Sequence, residues 1–100
     1  MNATTPRAVG LVVLTAIVLA AAGPAAAYTG QELAGDAKIT IDQARAITLK
    51  AHPGRITDEE LEREGGGSGL RFTFGVEAGS VTQEVGVDAA TGQVLENAPD

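Results

Sequence analysis

Leu70–Asp88 reads LRFTFGVEAGSVTQEVGVD. Leu70, Phe72, Phe74 and Val76 alternate with Arg71, Thr73, Gly75 and Glu77, the period-2 pattern of a strand with one buried face. Ala78-Gly79-Ser80 is a turn. Val81, Gln83, Val85 and Val87 then alternate with Thr82, Glu84, Gly86 and Asp88. Two alternating runs joined by a short turn predict an antiparallel hairpin. Phe72 and Phe74, the only two Phe residues of the chain, share the phase of Leu70 and Val76 and are expected in the core. A base-stacking role for them does not suit the acidic surroundings.

Asp88-Ala89-Ala90-Thr91-Gly92 reads as a second turn. Asp88 is expected to cap backbone donors across it, and Gly92 to take a left-handed backbone. On that reading Asp88→Asn keeps most of the stability, because an amide oxygen still accepts. Gln93-Val94-Leu95 can return as a short edge strand, and 97–100 is a polar tail. Upstream of the hairpin, Gly65-Gly66-Gly67-Ser68-Gly69 is a loop. It matches neither phosphate-binding glycine pattern, since no Lys follows and Leu70 stands where a Gly is needed.

Thr40–His52 (TIDQARAITLKAH) predicts a helix. Thr40 and Gln43 fit a capping box, and Asp42 places negative charge in the first turn. Ile41, Ala44, Ile47, Thr48 and Ala51 fall on one face. Pro53 and Gly54 end the helix. Its apolar face is built of small residues, which suits close packing on a sheet. Arg55–Glu64 (RITDEELERE) is ambiguous. Thr57 with Glu60 is a second capping box among good helix formers, whereas a strand has only Ile56 and Leu61 to bury. Tyr28–Ala37 is small, polar and punctuated by glycine, and reads as a flexible lead-in. The order predicts an α+β domain, one helix on a small antiparallel sheet of three to four strands.

At the N-terminus, Arg7 precedes the uncharged 15-residue stretch Ala8–Ala22, followed by Gly23-Pro24 and Ala25-Ala26-Ala27. This is the pattern of a secretory signal peptide over 1–27, with cleavage expected after Ala27. An uncleaved membrane anchor is the alternative, the uncharged run being about as long as a spanning helix. Of the 7 basic and 13 acidic residues of the chain, 1–27 holds one base and no acid, so 28–100 carries a net charge of −7. That balance argues against nucleic acid, which is bound by neutralising phosphates, and against an anionic lipid surface. No cysteine is present, so a disulfide framework is excluded. A domain of this size has a thin core and little room for a water-excluding catalytic pocket.

Little in the sequence carries chemistry. The single His52 reads as a cation at a helix C-terminus and, without cysteines, does not suggest zinc. Ser68 and Ser80 lie in turns, outside any nucleophile motif. Asp58, Glu59, Glu60, Glu62 and Glu64 form an acidic run without the ligand spacing of a calcium loop. It reads first as a solvated face and second as a candidate acidic surface for a partner. No catalytic, cofactor or metal residue is expected, and no cofactor.

TIDQARAITLKAHPGRI, then ELERE, LRFTFGVE and VGVDAATGQVLE, together resemble a PepSY domain, the family named after thermolysin-type peptidase propeptides and a spore-associated membrane protein. The residues that carry the likeness are Ala44, Ala51, Pro53 and Gly54, then Leu61, then Asp88, Thr91, Gly92 and Leu95 in D-x-x-T-G-x-x-L, within a domain over 38–96. The resemblance implies a helix on an antiparallel sheet, with Arg55–Glu64 a strand against its own propensity. Glu59 departs from it, standing where the family often has an apolar residue. It also implies a non-catalytic, extracytoplasmic module that binds or inhibits peptidases. The 100 residues include no peptidase, so inhibition is expected to act in trans. The contact expected is an exposed sheet edge extended by a partner strand. The alternative from another class is a cell-envelope or matrix component without a peptidase partner, held by an uncleaved N-terminal helix; a cation-binding module is a third.

Overall fold

The computed structural model describes residues 27–100; the signal-peptide reading of 1–27 lies, Ala27 apart, outside them. A single helix α1, Ile41–Ala51, precedes four strands, β1 Arg55–Arg63, β2 Leu70–Ala78, β3 Val81–Asp88 and β4 Val94–Pro99. The strands form one antiparallel sheet in the order β1-β2-β3-β4, each paired with its neighbour in sequence. The α+β arrangement and the capped helix are as the sequence implies. Thr40 Oγ1 accepts from the Gln43 N–H at 3.1 Å, and Gln43 Oε1 accepts from the Thr40 N–H at 2.9 Å.

Helix α1 covers one face of the sheet. Ile41, Ala44 and Thr48 are buried against Leu61, Phe72, Phe74, Val76, Val85 and Val87. Phe72 and Phe74 stack with ring centroids 6.4 Å apart, and neither is more than 1 % exposed. The core is thin, as a chain of this length requires, and the two rings are its largest pieces.

Arg55–Arg63 is a strand, as the family likeness implies and local propensity does not. Thr57 makes no capping box; its hydroxyl donates to the Gly75 carbonyl at 3.4 Å. Arg55 lies opposite Glu77 and ion-pairs with it at 2.5 Å, and Glu62 lies opposite Arg71. A bulge between Ile56 and Asp58 lets both Ile56 and Leu61 take the helix-facing side, opposite Val76 and Phe72.

Two segments are more regular than their composition suggests. The lead-in, read as flexible, holds a 3-10 helix over Gln31–Asp36. Before it, Thr29 makes a parallel bridge beside Glu60, and Tyr28 tilts against Phe72 at 6.3 Å. Gly30 is required there, because a Cβ at that position would lie 1.8 Å from the Leu61 carbonyl oxygen. The polar tail is also strand: Asn97, Ala98 and Pro99 pair with Val85, Glu84 and Gln83. Its side chains are exposed and show no alternation, since main-chain pairing to β3 and not burial holds it.

Replacing a buried Phe with Ala typically costs roughly 3–5 kcal/mol, while a domain of this size has only about 4–10 kcal/mol in total. Phe74→Ala is therefore expected to abolish most of the cooperative thermal transition followed by circular dichroism. A melt within a few degrees of the parent would show that Phe74 does not support the core.

Candidate functional site

The D-x-x-T-G turn is the most polar buried spot among the described residues. β3 ends at Asp88, which is 1 % exposed. Its Oδ2 accepts from the Ala90 N–H at 3.3 Å, the Thr91 N–H at 3.0 Å and the Thr91 hydroxyl at 2.9 Å. Its Oδ1 accepts from the Ser68 N–H at 2.8 Å and the Ser68 hydroxyl at 2.7 Å. The carboxylate thus caps the turn, as expected, and also fastens the glycine loop, which the sequence reading left unconnected to it. Gly67 must be glycine, because a Cβ there would stand 2.7 Å from Asp88 Oδ1 and 2.9 Å from a Leu95 methyl. Burial works to raise the Asp88 pKa, but the donors from Ser68 and Thr91 outweigh it and hold the carboxyl well below its usual range.

The other family-motif residues surround this turn or close the helix. Ala44 and Leu61 are buried, and Ala51 is half-buried at the end of α1. Pro53 and Gly54 carry the chain from α1 into β1, where a Cβ on Gly54 would lie 2.6 Å from the Glu77 carbonyl oxygen. Gly92 has φ +80° and donates its N–H to the Asp88 carbonyl at 2.9 Å. Leu95 is half-buried over the glycine loop. These positions contribute to the fold.

The acidic run does not form one surface. Asp58, Glu60 and Glu62 point away from the helix, and Glu64 lies beyond the strand with its carboxylate 3.8 Å from Arg71. Glu59 faces the helix. Its carboxylate accepts from Arg45 Nε at 2.5 Å and Arg45 Nη2 at 2.8 Å, a two-pronged pair between α1 and β1. Arg45 also reaches Asp42 at 2.6 Å. Glu59 raises the Arg45 pKa most, against the lowering effect of burial and with help from Asp42. The departure from an apolar residue at 59 is thereby answered by a cation on the helix, a pairing invisible without the fold.

The sheet face opposite the helix is open and carries a shallow groove with Asp58, Glu60, Glu62, Glu84 and Asp100 at its margins. Burial, then the nearby Glu96 and Asp100 charges, raises the Glu84 pKa. Arg71 is the buried cation of this face. It lies against Gly86, donates to the Gly65 carbonyl at 3.0 Å and approaches Glu96 at 3.5 Å. Reading Arg71 as one of the residues that merely alternate with the core missed this role, for which Gly86 in mid-strand was the only signal. Among the described residues no cluster of three or more His, Cys, Asp or Glu side chains is placed to hold a metal, and no helix is long and apolar enough to cross a membrane. His52 caps α1, its N–H donating to the Thr48 carbonyl at 2.8 Å.

Helix, Pro-Gly exit, meander and buried D-x-x-T-G turn make up one small α+β module. The family model described as peptidase propeptide and YPEB domain matches residues 38–97, and the chain belongs to this PepSY family. No curated protein and no solved structure matches the chain.

Because both Asp88 oxygens are used, an amide cannot replace the carboxylate: its NH2 would face donors. Asp88→Asn is now expected to destabilise by about 2–3 kcal/mol, against the tolerance expected from the turn alone. Wild-type stability from this group is complete above the ordinary carboxylate pKa of about 3.9 and falls as pH drops below it, since the unfolded chain takes up the proton first. Denaturant titrations between about pH 6 and pH 2 should show that slope in the parent and a weaker one in Asp88→Asn. Gly92→Val should cost about 1 kcal/mol or more through backbone strain. Equal slopes and a neutral Gly92→Val would remove the turn from this role.

For the half-buried Arg45–Glu59 pair, Arg45→Met strands a carboxylate and should lower the melting temperature, whereas Arg45→Met with Glu59→Leu should restore or exceed it. A double variant no more stable than Arg45→Met would show that a stranded carboxylate is not what Arg45→Met costs.

Proposed function

We propose that this chain is an exported, non-catalytic protein-binding module that regulates a peptidase in trans. The observation that carries this reading is the family match across 38–97. Export is supported by the apolar stretch and the Ala25-Ala26-Ala27 end. The acidic balance of 28–100 suits a partner with a basic surface.

The test is inhibition. The purified protein, titrated into the separated secreted and envelope-bound peptidases of its own source, is expected to inhibit at least one with a constant at or below about 1 μM, the range of a transient complex. Asp88→Asn, unfolded by heat beforehand, serves as the inactive control. No inhibition and no activation of any peptidase would refute regulation and return the envelope-component reading.

A further inference from the structure

Three carboxylates meet across the β3–β4 ladder. Val85 and Val87 are buried under the helix, so Glu84 faces the open side of the sheet, where it is half-buried. It stands opposite Ala98 of β4. On one side of Ala98 is Glu96, opposite Gly86; on the other is Asp100, whose N–H donates to the Thr82 carbonyl at 2.9 Å. The three acids therefore share one face, and Glu84 and Glu96 come within hydrogen-bonding reach of each other. Like charges on facing positions of neighbouring strands weaken their pairing.

The other strands bring Glu84 no cation. On β2, Gly75 lies directly across from it without a side chain, and the flanking Glu77 is paired with Arg55. Beyond β2, β1 adds Asp58, Glu60 and Glu62 to the same face. Arg71 sits toward the other end of β2, donating to the Gly65 carbonyl and reaching Glu96 at 3.5 Å and Glu64 at 3.8 Å. Asp88, further along β3, is taken up by its turn. Burial, and then the Glu96 and Asp100 charges, hold the Glu84 carboxyl above its usual range. The strand that these charges bear on has little else to hold it. From Glu96 onward β4 is joined by main-chain pairing, the Gln83–Asn97 side-chain bond at 2.8 Å and the long contact of Glu96 with Arg71.

We infer that β4 is a strand set by pH: with Glu84 and Glu96 both ionised, repulsion across the ladder lets 96–99 open from β3, and one proton shared between the two carboxyls replaces that repulsion with a hydrogen bond and closes the strand. Whether the outer edge of β3 is covered thus depends on pH. Because the folded chain holds this proton more tightly than the unfolded one, the added stability is complete below the ordinary glutamate pKa of about 4.3. It is lost as pH rises through the folded-state value. Asp88 acts in the opposite sense and only below about pH 3.9, so the two effects occupy separate pH ranges.

The test is amide hydrogen exchange of the 15N-labelled full chain, corrected for the intrinsic pH dependence of exchange. At neutral pH the Glu96 and Ala98 amides are expected to be less protected than that of Phe74 in the sheet centre, the mark of local opening. Between about pH 7 and about pH 5 their protection should rise by about two- to fivefold, the scale of one cross-strand pair. Glu84→Gln keeps the side-chain shape and can donate to Glu96 as the protonated acid does. This variant should show the higher protection already at neutral pH and no further rise on acidification. The Glu84 carboxyl carbon, followed by 13C NMR in the parent, should titrate above the ordinary glutamate value. Glu96 and Ala98 amides as protected as that of Phe74, or protection that does not change with pH, would overturn the inference. So would a Glu84→Gln variant that keeps the parent's pH dependence, or a Glu84 carboxyl that titrates at or below the ordinary value.

Discussion

The carboxylate of Asp88 is the constraint on which the rest of this small fold depends. Five donors converge on it from two segments, the glycine loop and the D-x-x-T-G turn. The adjoining Ala89 extends the junction: its N–H reaches the Leu70 carbonyl, and its own carbonyl accepts from Lys38 and Ile39 just before the helix. The start of β2, the end of β3, the entry to α1 and the approach to β4 are therefore held at one point. In a core of two Phe rings and a few aliphatic side chains, such a junction supplies positional definition that packing alone cannot. A buried ion is costly unless fully hydrogen-bonded, and here the two oxygens are used in full.

How much of this was legible in the sequence differs from element to element. The hairpin was plain because Leu70–Val76 and Val81–Val87 alternate without interruption, and α1 because its cap and its Pro-Gly exit are both written locally. β1 was not, since DEELERE is a better isolated helix than strand; only its pairing to β2 and the answer of Arg45 to Glu59 make it extended. The family likeness supplied what local physics could not. The Tyr28–Asp36 arm was missed because Gly30 reads as a punctuation mark, whereas its work is to let the backbone approach the Leu61 carbonyl.

The candidate site followed the same division. Asp88 and Gly92 could be assigned to the turn from spacing alone. The second half of the Asp88 cluster could not, because Ser68 lies 20 residues away and nothing in a glycine loop announces which side chain it will close upon. The acidic run looked like one face only while its backbone was unknown. A strand divides consecutive residues between two sides, so Glu59 went to the helix and Asp58, Glu60 and Glu62 to the opposite face.

The strand order β1-β2-β3-β4 bears on how the chain reaches this structure. Every ladder joins neighbours in sequence, so each pairing closes a short loop at small entropic cost. The bridge of Thr29 to Glu60 and the bonds of Lys38 and Ile39 to Ala89 are the distant contacts added to these local ladders, and mixed α/β domains of this kind assemble at intermediate rates. The helix, too, precedes the strand that follows it by only a three-residue exit. The meander can form hairpin by hairpin, whereas the junction at Ala89 closes only when the segment before α1 reaches the end of β3.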